Sequence, residues 1–353
     1  MTGDGSTAGS SGSTAGDGRD ATREDDPDLP PEAATAPPRV VSAGHINWDV
    51  TMHVDRLPAA DGETRIERLE QSGGGSAANV AVGLVDLGGQ SVVYGSVGGD
   101  ESGALTLRGL ANEGVDPGQV LIDADEPTSV KYVIVDADGE LMMLANDGAN
   151  ESFTAGELDR GVLEAADHVH LTSQRPETAA ALATAAGEVS ATRSFDPGRR
   201  VGDREYDAAI HASDVLFLNE REAATLANTS KVDPWEPDDR IVAITLGANG
   251  ATIRTPNGDV SHPGFDVDPV DTTGAGDAFA AGALAASLRE PEVVGEDGFS
   301  TDPRDFQVPL LVGNACGALA ARAVTARVDL SWDRVRGVMG DSPEADLLIE
   351  IRT

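Results

Sequence analysis

From Arg39 onward, short β-branched runs alternate with Ala- and Leu-rich stretches of helical length, and no other feature of the chain restricts its fold so tightly. The runs are Val40 to Ala43, Ser91 to Ser96, Lys131 to Val135, His168 to Leu171, Val215 to Leu218, Ile241 to Thr245 and Ala251 to Arg254. Between several of them lie Ala77 to Leu87, Gly103 to Glu113, Pro176 to Glu188, Glu220 to Ala227 and Ala275 to Leu288. A strand followed by a helix can return to a parallel neighbour, so the pattern predicts an α/β fold whose mostly parallel sheet is covered on both faces. Two regions break the rhythm: Trp48 to Leu69, and Thr128 to Ala145 with its turn Asp136-Ala137-Asp138-Gly139. Strand-like runs around polar turns predict a small accessory sheet over one edge of the main domain.

Residues 1 to 38 are mostly Gly, Ser, Thr, Ala, Asp and Pro. So few large apolar side chains cannot offset the entropy of ordering, and this segment is expected to be a disordered tail. The chain as a whole carries an acid excess that runs throughout, with 61 acidic against 25 basic residues and a formal net charge of -36. Lys131 and Lys231 are its only lysines. With no basic stripe to displace counterions, nucleic acid and anionic membranes are excluded as partners. A dense carboxylate surface repels itself less where salt shortens screening, so the composition reads as adaptation to high salt, the alternative being an ordinary acidic surface.

The single cysteine, Cys316, lies in the apolar stretch Leu311 to Ala321 and is expected to be a core residue in a reducing compartment. No apolar run approaches the roughly twenty residues of a membrane helix, and no signal peptide is evident at the N-terminus. A cytoplasmic protein is expected.

Chemistry concentrates in Asp271-Thr-Thr-Gly-Ala-Gly-Asp277-Ala-Phe-Ala-Ala-Gly-Ala-Leu284. A turn of Gly274, Ala275 and Gly276 running into an Ala-rich helix aims backbone N–H groups and the positive helix end at one point, where an anion would sit. Asp277 would repel a resting phosphate there, but it suits a base that takes the proton of an attacking hydroxyl. Read alone, the same residues also fit a helix N-cap after a glycine turn. A second glycine-rich segment, Gly73-Gly-Gly-Ser-Ala-Ala-Asn79-Val-Ala-Val-Gly83, also precedes a helix. It is neither a Walker A loop nor a dinucleotide fingerprint.

Together these segments resemble the two signatures of the ribokinase (PfkB) family. Asp271 to Leu284 is similar to the C-terminal one, and Gly73 through Asp100 to the N-terminal one. Gly44-His-Ile-Asn47-Trp-Asp49, Gly148-Ala-Asn150, Asp196-Pro197, Asn219-Glu-Arg-Glu222 and Thr245-Leu-Gly-Ala-Asn-Gly250 match further elements in order, over about residues 39 to 339. The resemblance implies a three-layer ribokinase-like fold over 39–353, with a β lid from parts of about 48–70 and 128–146. It implies an ATP-dependent kinase for a hydroxyl of a sugar or sugar derivative, with Asp277 as base and the Gly274, Ala275 and Gly276 amides stabilising charge in transfer.

The resemblance also assigns further residues. Asp49, at the end of the first strand, would bind substrate hydroxyls together with Gly74, Gly75 and Asn79; a solvated surface aspartate is the bland alternative. Asn219 and Glu222 would organise Mg²⁺ and phosphate through water, since Mg²⁺ keeps several waters; by themselves they read as a helix cap and a surface acid. Thr245, Gly247 and Gly250 match the nucleotide loop, and Asn314 lies where the family places a residue near the adenine. Asp271 and Thr273 match positions that bind a monovalent cation such as K⁺ in some members, but the usual Gly-Ala pair is missing after Ala323-Val-Thr325.

Ser76 stands where true ribokinases carry lysine, which weakens ribose as the substrate. Nucleosides and sugar phosphates such as ribose 1-phosphate are the alternatives. Lys131 would suit an anionic substrate if its strand faces the cleft, and is otherwise a solvent-facing lysine. A non-catalytic sugar-binding protein of the same fold is the reading from another class. The edges of an accessory sheet need cover, so a homodimer through the lid is a further expectation.

Overall fold

The computed structural model describes Met1 and residues 36–229, 232–237, 239–296, 298–323, 325 and 327–340. The expected disordered tail falls on residues 2–35, outside the described residues, as do Lys231 and the last thirteen positions of the expected domain, 341–353. The fold begins slightly before Arg39, because Pro38 is buried and its carbonyl accepts the Gln90 N–H at 2.9 Å.

An eight-stranded sheet runs in the spatial order Gly258–His262, Ala251–Thr255, Ile241–Thr245, Val215–Asn219, Thr192–Phe195, His168–Leu171, Arg39–Ala43, Gln90–Tyr94. The six strands from Ile241–Thr245 to Gln90–Tyr94 are parallel, and the other two add antiparallel. Successive side chains of a strand point to opposite faces. Thus Val40, Val215, Phe217, Ile241 and Ala243 enter one core, under the helices Ser76–Asp86, Ala275–Ser287 and Gln307–Ala321. Val41, Leu216, Leu218, Val242 and Ile244 enter the other, under Pro176–Glu188, Asp207–His211 and Glu220–Thr229. The α/β expectation holds in both layers.

Close helix packing positions the catalytic-signature helix. A Cβ on Gly282 would lie 2.7 Å from Cys316 Sγ, and one on Gly313 would lie 2.9 Å from the Phe279 ring, so both glycines let Ala275–Ser287 and Gln307–Ala321 approach closely. Cys316 is a fully buried core residue, as expected, and burial pushes its thiol up. No helix among the described residues is long and apolar enough to cross a membrane.

The accessory sheet has the order Ile66–Gly74, Asn47–Val54, Val130–Val135, Leu141–Ala145. Its inner pair is parallel and its two outer pairs are antiparallel. Several expectations needed correction. Ser91 to Ser96 is not one strand: Gln90–Tyr94 ends before Gly95, and Ser96–Gly98 pairs with Leu121–Asp123 in a separate ribbon. A side chain on Gly95 would collide with the Gly44 carbonyl, which marks the crowding at this break. Thr192–Phe195 gives no strand signal in the sequence because three of its four residues are polar; Arg193 is accommodated by a forked ion pair with Asp214. Gly258–His262, Gln307–Ala321 and Trp332–Met339 were likewise not assigned from the sequence.

Candidate active site

The carboxyl ends of the parallel strands gather the signature residues. Gly274 takes the left-handed conformation (φ 80°) as N-cap of Ala275–Ser287, which places Asp277 inside the first helical turn and not at the cap. Its Oδ2 accepts a 2.8 Å hydrogen bond from Asn79 Nδ2, the amide of the other glycine-rich segment. The two motifs therefore meet although 198 positions separate these residues. Burial pushes the Asp277 carboxyl above the ordinary aspartate range, against the opposing pull of Asn79, Ser76, Lys131 and Arg327.

Asp49 is not at the end of the first strand. That strand stops at Ala43, and Asp49 belongs to Asn47–Val54 in the accessory sheet, whose register sets it beside Lys131 and opposite Ser72. Burial also raises the Asp49 carboxyl, countered first by Lys131 and then by Arg327. Its Oδ1 is buried without a hydrogen-bond partner among the described residues, an acceptor left for a ligand donor. A Cβ on Gly74 would collide with this carboxylate, and one on Gly75 (φ 92°) with the His45 carbonyl. Glycine is required at both positions by space.

The structure adds Arg327, which sequence reasoning missed. Its guanidinium donates to Asn79 Oδ1 at 3.1 Å, Gly74 O at 3.3 Å and Glu113 Oε2 at 2.9 Å. Asn79 thus has its oxygen fixed by Arg327 and its nitrogen by Asp277. The one available signal was Gly73, which begins a run of three glycines and whose Cβ would strike the Arg327 guanidinium.

Asn219 and Glu222 do form a helix cap: Glu222 N donates to Asn219 Oδ1 and Asn219 N to Glu222 Oε2, both at 2.9 Å. Yet Glu222 is only 9% exposed, so it is no surface acid. Burial, then the neighbouring Glu222 and Asp277 carboxylates, hold Asp196 well above the usual range. Burial likewise raises Glu222, with Asp277 adding to the effect. Asp196, Glu222 and Asp277 thus lie close enough to repel one another. Among the described residues no three His, Cys, Asp or Glu side chains converge closely enough to hold an ion directly.

Thr245 ends its strand and leads into the turn Gly247–Asn249, with Gly247 at φ 62° and Gly250 at φ 79°. Gly250 packs against Gly264, and a Cβ on Gly264 would lie 3.8 Å from Asn314 Oδ1, so Asn314 and the loop lie near each other. Asn314 Nδ2 donates to Leu310 O at 2.8 Å. Asp271 Oδ1 accepts the Thr273 N–H at 2.8 Å, a local turn in which both residues adjoin the Gly274 cap.

A family model described as "pfkB family carbohydrate kinase" matches residues 37–333. The chain belongs to the pfkB family of carbohydrate kinases. This pfkB kinase is 50% identical over 304 residues to an ATP-dependent ribose-1-phosphate kinase of Halopiger xanaduensis, covering 86% of the chain and 98% of that protein. It is 29% identical over 256 residues to a nucleoside kinase of Methanothermobacter thermautotrophicus, covering 71% and 82%. Its fold matches Arabidopsis thaliana ribokinase complexed with ribose and ATP, with a TM-score of 0.70 at 22% identity over 87% of this chain and all of that one (100%). Within the pfkB kinase, Asp277, Asn79, Asp49 and Lys131 form one electrostatically linked group, while Thr245, Gly247, Gly250 and Asn314 form a second near Gly264.

Proposed function

We propose that this pfkB kinase uses ATP to phosphorylate a hydroxyl of ribose 1-phosphate, with Asp277 as the base. The 50% identity to a ribose-1-phosphate kinase over nearly the whole length of that relative carries the choice of substrate. The geometry supports the chemistry. Asp277 sits in the first turn of a helix whose Gly274 and Gly276 amides would serve a transferring phosphoryl group, while the Ala275 N–H donates to Thr272 O at 3.2 Å and would have to exchange that bond, and the raised Asp277 carboxyl is a stronger base than a solvated aspartate.

Asp49, Gly74, Gly75 and Asn79 would hold the sugar hydroxyls, with the unpartnered Asp49 Oδ1 accepting one. Lys131 would keep Asp49 ionised and add positive charge to the cleft. Thr245, Gly247, Gly250, Asn219 and Asn314 would line the nucleotide. Glu222, with Asp196, would hold Mg²⁺ through water, and the ion would neutralise phosphate charge there. Asp271 and Thr273 remain candidates for a monovalent cation. The accessory sheet would close over the sugar, exclude water and, through its exposed apolar side chains, pair with a second copy. The acid-rich composition supports work in the cytoplasm of a high-salt cell.

An ADP-release assay in molar KCl with Mg-ATP tests this reading, comparing ribose 1-phosphate, ribose, fructose and nucleosides, with Asp277→Asn in parallel. Turnover highest with ribose 1-phosphate and lost in Asp277→Asn is expected. Preference for a nucleoside or a free sugar would replace the substrate, and full activity in Asp277→Asn would remove the base.

A further inference from the structure

A group of basic side chains lies at the carboxyl ends of three sheet strands, apart from Asp277. His45 follows Arg39–Ala43, Arg175 follows His168–Leu171, and Arg200 and Arg204 follow Thr192–Phe195. They surround one carboxylate. Glu151 lies 3.2 Å from His45 Nε2, 3.2 Å from Arg200 Nη1, 2.8 Å from Arg204 Nη1 and 4.0 Å from Arg175 Nε. The second acid nearby, Asp147, bonds Arg200 Nη2 at 2.8 Å but is itself 85% exposed. Three arginines therefore face two carboxylates, a local positive excess in a chain whose acids outnumber its bases 61 to 25.

This cluster is continuous with the substrate end of the site. The His45 carbonyl abuts Gly75. Asn150, one position before Glu151, accepts from Ile46 N at 2.9 Å and donates to Asn47 Oδ1 at 2.6 Å, two residues before Asp49. Gln174, adjacent to Arg175, is fully buried and its Oε1 has no partner among the described residues. Both Nη atoms of Arg204 are engaged by Glu151 and the Gln174 carbonyl. Arg175 is 50% exposed and keeps most of its donors, while Arg200 shares one side of its fork with the solvated Asp147, which a phosphate dianion would displace.

We propose that the phosphate already carried by the substrate docks on Arg175 and Arg200, with Glu151 holding the guanidinium planes in place and the reacting hydroxyl directed at the opposite end, toward Asp277. This deepens the reading of the enzyme as a sugar-phosphate kinase and rests on it. Guanidinium forks match a phosphomonoester in two-pronged fashion, whereas Lys131 lies beside Asp49 in the strand register and its charge acts on that carboxylate. The product would carry its two phosphates at opposite ends of the sugar.

The test compares kcat/KM for ribose 1-phosphate and for ribose in the wild type, Arg175→Ala, Arg200→Ala, Arg200→Lys and Lys131→Ala, with KM for Mg-ATP and a thermal melt monitoring the fold. The proposal expects the preference for the phosphorylated sugar to fall about tenfold or more in each Arg→Ala variant, mainly through KM, and less in Arg200→Lys. Should Arg200→Ala not fold, half-exposed Arg175 decides. A selective wild type whose preference survives both arginine changes, or falls only in Lys131→Ala, overturns the docking site and leaves the substrate reading standing. A wild type with no preference for the phosphorylated sugar overturns both.

Discussion

Asn79 Nδ2 donates to Asp277 Oδ2 at 2.8 Å, so the amide of one glycine-rich segment holds the carboxylate of the other. This bond orients the proposed base before any ligand arrives. It also leaves Asp277 Oδ1 as the oxygen free of Asn79, the one suited to take a proton from a substrate hydroxyl.

Asp277→Asn keeps the shape and removes the basicity. Turnover is expected to fall by about 10² to 10⁴-fold, with little change in KM for Mg-ATP, as read by ADP release. In the wild type the base must be deprotonated, and burial raises its carboxyl, so activity should decline on the acid side at a pH above the ordinary aspartate range. A kcat/KM profile flat down to the usual aspartate range would contradict the assignment.

Arg327 acts on the base through Asn79 and through its charge. Replacing it in Arg327→Met frees the amide to rotate and removes a positive charge that lowers the Asp277 carboxyl. Turnover should drop, and the acid limb of the profile should move to higher pH. A loss of turnover with the limb unmoved would mean that Arg327 only supports the loop.

Gly74→Ala forces a Cβ into the Asp49 carboxylate. Overpacking of this kind costs about 1–3 kcal/mol, equivalent to roughly tenfold to a hundredfold in sugar KM if the strain falls on the binding geometry. Substrate titrations at saturating Mg-ATP check this, and an unaltered sugar KM would show that Asp49 does not touch the sugar.

Glu151 links folding to pH. Burial opposes its charge, but His45 and Arg204 outweigh burial and bring its carboxyl down from 4.5 to about 2. A carboxyl lowered in the folded state contributes stability at pH above its unfolded value, and that contribution is lost as pH falls from about 4.5 to about 2. Glu151→Gln should lower the melting temperature at neutral pH and flatten its dependence across that acid window. Identical acid-side curves for both proteins would refute the linkage.

Ile66, Leu69, Tyr132, Leu141 and Leu144 are exposed on the accessory sheet. If they pair with a second copy, Leu144→Glu should convert a dimer into a monomer by light scattering in molar KCl. A wild type already monomeric at assay concentrations would exclude lid pairing.

The sheet and most helices were legible because apolar periodicity is local: Val215 to Leu218 and Pro176 to Glu188 announce themselves within a few residues. Thr192–Phe195 was hidden because Arg193 occupies a strand position whose charge is answered only by distant Asp214. The site followed the same division. Asp277 and Asn79 were readable from the glycine turns that precede their helices, whereas Arg327 stands in an unremarkable segment 248 positions from Asn79. Glu151 gains its character from His45, Arg200 and Arg204, which lie 106, 49 and 53 positions away, and no pattern along the chain foretells that convergence.

The buried sulfur at the contact between Ala275–Ser287 and Gln307–Ala321 gives the native enzyme no accessible thiol, since Cys316 is its sole cysteine and is fully covered. A cysteine introduced on the accessory sheet would then be the only position open to maleimide dyes or spin labels. The proposed closure over the sugar could be tested by spectroscopy without first stripping the protein of its own sulfhydryl.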